Sequence, residues 1–193
     1  MVYSEKKCTK IINLVGGPGV GKSTVACGLF SLFKQNRISS EYVSEYAKEI
    51  TWEGTHKLLE NQIHVFSEQL RRQYRLLDKV SYVITDSPLI LNSVYFRYYI
   101  QALEKKNIKV PFSLTYQKLT EQFFDATFRE FDNKTYFLQR SKHYDTNGRN
   151  QTLEEAIMLD EDIKQKLKDA GIKYEILTGN EVQNIDAIYK GVL

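Results

Sequence analysis

Proline and cysteine are scarce in this sequence, with three and two residues among 193, and tryptophan occurs once. Two cysteines, Cys8 and Cys27, exclude both a disulfide framework and a four-cysteine zinc site, so both thiols are expected to be reduced. Few prolines and no low-complexity linker exclude collagen-like and linker-dominated chains. No apolar run approaches the roughly 20 residues that span a bilayer. The opening Met1-Val2-Tyr3-Ser4-Glu5-Lys6-Lys7 has no apolar signal core, and the expectation is a cytoplasmic protein with no membrane partner. Net charge is also small: 27 basic against 24 acidic residues leave +3, too little to nominate a nucleic-acid partner, which stays open but is not favoured. Of the three histidines, only His56 and His64, eight apart across an apolar helix face, have a spacing that a metal pair could use, and a ligand pair there is the minor reading; His143 stands apart.

What is present is ample apolar residue content, 42%, for one buried core, so residues 1–193 read as a single domain. Short β-branched runs alternate with helical periodicities. Strands are expected at Lys10 to Val15, Glu41 to Ser44, Ser81 to Thr85, Thr135 to Gln139 and Tyr174 to Leu177. Between them, one helix runs from Lys22 to about Asn36. A second carries the stripe Leu59, Ile63, Phe66, Leu70, Tyr74 and Leu77, with Glu60, Glu68, Arg71, Arg72 and Arg75 on its solvated face. Ser87-Pro88 predicts a third helix start, carrying Leu91, Val94, Tyr95 and Tyr98. A fourth passes through Leu119 and Phe123 to about Arg129. Thr152 with Glu155 predicts a capping box for a fifth, which bears Ile157, Ile163 and Leu167 and ends at Gly171; a closing helix covers Val182 to Tyr189. This alternation predicts a three-layer α/β fold around a five-stranded parallel sheet.

The segment Gly16-Gly17-Pro18-Gly19-Val20-Gly21-Lys22-Ser23 satisfies G-x-x-x-x-G-K-[ST], between an expected strand and an expected helix. Glycines allow successive N–H groups to turn inward around phosphate oxygens, and the helix N-terminus adds partial positive charge. Gly17, Gly19, Val20, Gly21, Lys22, Ser23 and Thr24 are thus nucleotide-binding candidates. Lys22 would bridge the β- and γ-phosphates, Ser23 would offer its hydroxyl to Mg²⁺, and Thr24 would cap or approach the α-phosphate. The alternative, a glycine-rich turn joining two elements, needs both flanks to agree by accident.

Two acids follow strands at the sheet's carboxyl edge. Asp86, after the third strand, would hold Mg²⁺ or accept a proton from an attacking hydroxyl, unless it is only a turn residue. Glu45, after the second, would orient an acceptor hydroxyl, unless it is only a first-turn acid favoured by the helix dipole. The polar stretch Arg140 to Asn150 must lie on the surface and is a lid candidate. Arg140 and Arg149 are preferred phosphate clamps because guanidinium groups bind bidentately, with Lys142 next; an ordinary solvated loop is the plain alternative. Tyr95-Phe96-Arg97-Tyr98-Tyr99 and Phe123, Phe124, Phe128 and Phe131 are core or base-pocket residues. Trp52, read as lying on a loop, is a stacking candidate.

The stretches Gly16 to Thr24, Ser44-Glu45-Tyr46-Ala47, Thr85-Asp86-Ser87-Pro88-Leu89, and Tyr144-Asp145 through Gly148-Arg149-Asn150-Gln151-Thr152 with Glu155-Ala156 resemble a P-loop kinase-like family. That family includes the ribosylnicotinamide kinase domain of a bacterial NAD-biosynthesis regulator and phage-encoded ATPases and nucleotide kinases. The resemblance implies a five-stranded kinase-type fold with a lid at about 140–150, ATP with Mg²⁺, and a small nucleoside-like acceptor. It also implies that Glu45 is the base toward that acceptor. The family's Asp-Arg pair after the third strand is Asp86-Ser87 here, so any arginine role must be met elsewhere.

Asn133-Lys134-Thr135-Tyr136 begins like the guanine-reading N-K-x-D but ends in tyrosine, which leaves GTP specificity unsupported. The favoured expectation is a kinase acting on a nucleoside, nucleotide or similar metabolite. Two rivals remain: a kinase acting on a hydroxyl borne by DNA, whose binding would weaken steeply with salt, and a nucleotide-hydrolysing switch with no acceptor.

Overall fold

The computed structural model describes residues 9–55, 57–110, 113–140 and 152–193. The first strand, β1 (Lys10–Val15), buries every residue but the first, because its β-branched and apolar side chains alternate between two covered faces. Along the chain follow α1 (Lys22–Gln35), β2 (Ser40–Val43), α2 (Tyr46–Trp52), α3 (Lys57–Glu60), α4 (Gln62–Tyr74) and β3 (Tyr82–Thr85). Then come α5 (Leu91–Lys105), α6 (Leu114–Arg129), β4 (Asp132–Leu138), α7 (Leu153–Asp169), β5 (Glu175–Leu177) and α8 (Glu181–Val192). The five strands are all parallel, as the sequence predicts, and they pair in the order β2-β3-β1-β4-β5.

Ile12, Leu14, Ile84, Tyr136 and Leu138 meet α1 and α8 on one face of the sheet. Val15 and Phe137 meet α5, α6 and α7 on the other, where Phe66 of α4 joins them. The loop after β1 therefore leaves toward one layer and the loop after β3 toward the opposite one. A crevice opens between them at the carboxyl edge, where sheets of this kind bind ligands.

Several expectations are corrected. Ser87 does not cap α5, whose N-cap residue is Ile90. Thr85 Oγ1 accepts the Ser87 N–H at 3.1 Å, and Leu91, Asn92 and Ser93 donate to the carbonyls of Pro88, Leu89 and Ile90, so the chain makes tight turns before helix begins. The buried stripe of α4 is Val65, Phe66, Gln69 and Gln73; Ile63 and Tyr74 are exposed. Two glutamines on the inner face hid this register from a hydrophobicity pattern. Arg72, assigned to the solvated face, is largely covered and chelates both Glu49 oxygens at 2.6 Å. Trp52 ends α2 rather than sitting on a loop.

The register of α6 also turns by one residue. Phe124 is fully buried, stacked on Phe66 with centroids 4.2 Å apart, whereas Phe123 and Leu119 are exposed. Phe124→Ala is expected to cost about 3–5 kcal/mol, as cavity-forming Phe→Ala changes do, and Phe123→Ala much less. Denaturant melts of both variants check this, and equal losses would contradict the register.

Candidate functional site

The phosphate-loop segment bends between β1 and α1 as its glycines permit. Gly19 and Gly21 both hold φ of +84°, and Gly21 is the N-cap of α1 with no side chain bonded to the helix's first amides. A glycine there accepts the left-handed backbone without cost, and the uncapped amides make an anion site.

Lys22 donates from Nζ to the carbonyls of Gly16 and Gly17 at 2.8 and 2.9 Å, which aligns its ammonium with the loop. Burial lowers its pKa, while Glu45, Asp86 and Asp160 act in the opposite direction. Ser23 donates from Oγ to Asp86 Oδ2 at 2.5 Å, and Tyr42 on β2 donates to the same oxygen at 2.8 Å. Burial, then the adjacent Asp86, raises the Tyr42 pKa and keeps its phenol a donor. Asp86 is 3% exposed, and its Oδ1 is buried with no hydrogen-bond partner. A hydroxyl beside a carboxylate with one unused oxygen fits Mg²⁺, which takes few protein oxygens and fills its shell with water and phosphate. Among the described residues, no cluster of three or more His, Cys, Asp or Glu forms an all-protein metal cage. His64 instead lies 3.0 Å from the Tyr46 hydroxyl through Nε2, and His56 falls outside the described residues.

Asp160 was not among the sequence candidates, yet it fastens the loop from beneath. Its Oδ1 accepts the Gly17 N–H at 2.6 Å and its Oδ2 accepts from Arg140 Nε at 2.7 Å. Arg140 also donates to the Pro18 carbonyl at 2.7 Å. The sequence did hold a signal: a charged residue on the inner stripe of α7, between Ala156, Leu159, Ile163 and Leu167. Arg140, read as a phosphate clamp, is 7% exposed in its side chain and braces the loop at its base. A Cβ added at Gly17 would meet Asp160 Oδ1 at 2.7 Å, the Ala156 carbonyl at 2.8 Å and Arg140 Nη2 at 2.9 Å. Gly17→Ala should therefore cost on the order of 1–3 kcal/mol through overpacking. Thermal unfolding would register that as a fall of several degrees, and an unchanged midpoint would mean that the brace has slack.

Gly19, Gly21, Lys22, Ser23, Thr24 and Glu45 line one cleft of about 950 Å³, and Gly17, Val20, Asp86 and Arg140 are not part of its lining. Val20 turns its side chain toward the core under α1. The same cleft is lined by Trp52, Asn92, Tyr95, Tyr98 and Tyr99. Of the aromatic candidates, these tyrosines and Trp52 face the cleft, whereas Phe96, Phe124 and Phe128 are core. Glu45 is the N-cap residue of α2 but makes no side-chain capping bond. Burial raises its pKa above the ordinary glutamate value, with Lys22 opposing and Asp86 adding to the shift. Lys142, Arg149 and the rest of the lid candidate lie outside the described residues, apart from Arg140.

No curated protein matches the chain. Among solved structures, it resembles a NadR protein in complex with NR, at 18% identity with TM-score 0.70, covering 96% of this chain and 52% of that one. A NadR protein in complex with NAD and AMP-PNP matches at 17% identity and TM-score 0.67, with coverage of 96% and 50%. The chain thus spans about half the length of these NadR proteins. Deoxyadenosine kinase from M. mycoides with bound dATP matches at 16% identity and TM-score 0.60, covering 94% of this chain and 98% of that one. At such identities the likeness is one of fold, the all-parallel five-stranded sheet of P-loop nucleoside kinases. With its residues 11–184 matched to the family described as an AAA domain, the chain belongs to that family of P-loop proteins.

Proposed function

We propose that the protein is an ATP-dependent phosphotransferase that moves the γ-phosphoryl group of MgATP to a hydroxyl of a nucleoside, nucleotide or nucleoside-like metabolite. One observation carries the proposal: the cleft that begins at Lys22 and Ser23 continues past a half-buried carboxylate, Glu45, to a wall of tyrosines. A switch that only hydrolyses nucleotide needs no such second compartment. In this reading the loop amides and Lys22 hold the β- and γ-phosphates, and the tyrosines with Trp52 sandwich a planar base at the far end. Ser23 and Asp86 would hold Mg²⁺. Bound there, the ion supplies neutralisation of charge on the phosphate oxygens.

Glu45 stands between the two ends. Its carboxylate accepts the proton of the acceptor hydroxyl, whose oxygen forms the new bond to the γ-phosphorus. The bond from that phosphorus to the β–γ bridging oxygen breaks, and ADP leaves. Its upward-shifted pKa suits this role, because a base with a pKa nearer neutrality takes a proton more effectively than an ordinary carboxylate.

The test is incubation with γ-labelled ATP and a panel of nucleosides, nucleotides, ribosylnicotinamide and hydroxymethylated DNA. Label on a small acceptor supports the proposal. Label only on DNA, or released only as phosphate whatever is added, would replace it with the DNA-directed or the switch reading.

A further inference from the structure

The amide of Gln69 lies in the buried face of α4, with 1% exposure, and reaches across to the turn between β2 and α2. Its Oε1 accepts the Tyr46 N–H at 3.0 Å and its Nε2 donates to the Ser44 carbonyl at 3.2 Å. These two groups belong to the peptide planes on either side of Glu45. Holding both planes holds the φ of −66° and ψ of 117° of Glu45, and hence the direction in which its side chain leaves the backbone. We infer that Gln69 is a positioning residue for the phosphoryl-transfer site: its amide clamps the backbone of Glu45 so that the carboxylate points into the cleft.

The inference rests on the role given to Glu45 above. Two features of the molecule support it. Burying a primary amide in an apolar helix face is costly unless its hydrogen bonds are met, and here both its oxygen and its nitrogen are engaged by this one turn. Glu45 itself makes no capping bond, so its side chain does nothing to fix its own backbone. Arg72, one turn further along α4, grips Glu49 and lies over the Tyr46 ring at 4.8 Å, which steadies α2, but its hydrogen bonds go to the Glu49 and Glu68 carboxylates and not to the peptide planes at Glu45. Gln73 provides an internal comparison. It is equally buried on the same face of α4, at 1% exposure, and its Nε2 has no hydrogen-bond partner, so its amide nitrogen holds no peptide group of the Glu45 turn.

The experiment compares Gln69→Leu, Gln73→Leu, Glu45→Gln and the Gln69→Leu/Glu45→Gln double variant, with labelled ATP and the pooled acceptor panel as probe. Gln69→Met replaces Gln69→Leu if the latter does not fold. A displaced catalytic group costs about 10- to 100-fold in rate. Gln69→Leu should therefore slow transfer at saturating ATP by that factor with an unchanged KM for ATP, and Gln73→Leu should stay within about twofold of wild type. In the Glu45→Gln background, Gln69→Leu should add no further loss, because the group it positions no longer acts. A wild-type rate in Gln69→Leu beside a slow Glu45→Gln would overturn the inference, as would an equal loss from Gln69→Leu in both backgrounds, which marks general damage. If Glu45→Gln itself transfers at the wild-type rate, the underlying role of Glu45 fails, and the inference with it.

Discussion

Lys22→Ala is expected to abolish measurable phosphoryl transfer while leaving the protein folded. In the proposed reaction Lys22 sets the one cation of the loop against the phosphates, and its ammonium is aligned beforehand by the carbonyls of Gly16 and Gly17. A preorganised donor aimed at developing charge is typically worth about 10²–10³-fold in rate, and the loss of a full charge here should reach at least that. Stability should respond differently. Burial lowers the Lys22 pKa, so between its folded and its ordinary value the unfolded chain binds more protons and stability from this group rises with pH. Wild type should show that alkaline gain and the alanine variant should lack it. Transfer assays paired with melting curves across alkaline pH check both parts, and full turnover in the variant would remove the lysine from the mechanism.

Glu45→Gln should lower the transfer rate by about 10²–10⁴-fold, the usual contribution of a positioned general base. The pH profile gives the sharper result. Burial raises the Glu45 pKa, so the wild-type rate should climb with pH through a value above the ordinary carboxylate range, and the glutamine variant should lose that limb. The sign for stability is opposite to that for rate. A carboxyl whose folded pKa is raised binds its proton more tightly when folded, so its contribution is greatest at low pH and falls as pH rises through the folded value. Above that window glutamine removes a half-buried negative charge, and the variant should melt no lower than wild type. A variant with a wild-type rate and an unshifted profile would return Glu45 to a purely structural place at the start of α2.

Much of this site is legible in the sequence. The loop from Gly16 to Ser23, and Asp86 and Glu45 after their strands, are local patterns: fixed spacings, or the residue following a β-branched run. The structure brings Lys22, Ser23 and Glu45 to one cleft, with Asp86 hydrogen-bonded to Ser23. The failures were local signals with a stronger competitor. Ser87-Pro88 has the composition of a helix start, but the Thr85 hydroxyl binds the Ser87 N–H and the chain turns first. The faces of α4 and α6 were misread by about one residue because Gln69, Gln73 and Thr120 are buried where an apolar stripe was sought.

The sequence by itself determined the alternation of five strands with helices, the capping box at Thr152 and Glu155, and the phosphate loop, but not α2 and α3. These depend on periodicity and on contacts within a few residues along the chain. Only the tertiary structure decided the strand order β2-β3-β1-β4-β5, the brace of Asp160 on Gly17, the anchoring of Arg140 and the clamp of Gln69 about Glu45. Each of these joins groups far apart in the chain, 143 residues in the case of Gly17 and Asp160. The physical reason is that a carboxylate or amide on a helix carries no local mark of its partner. What it binds is settled when the layers pack and its polar atoms, cut off from water, must find hydrogen bonds where they are.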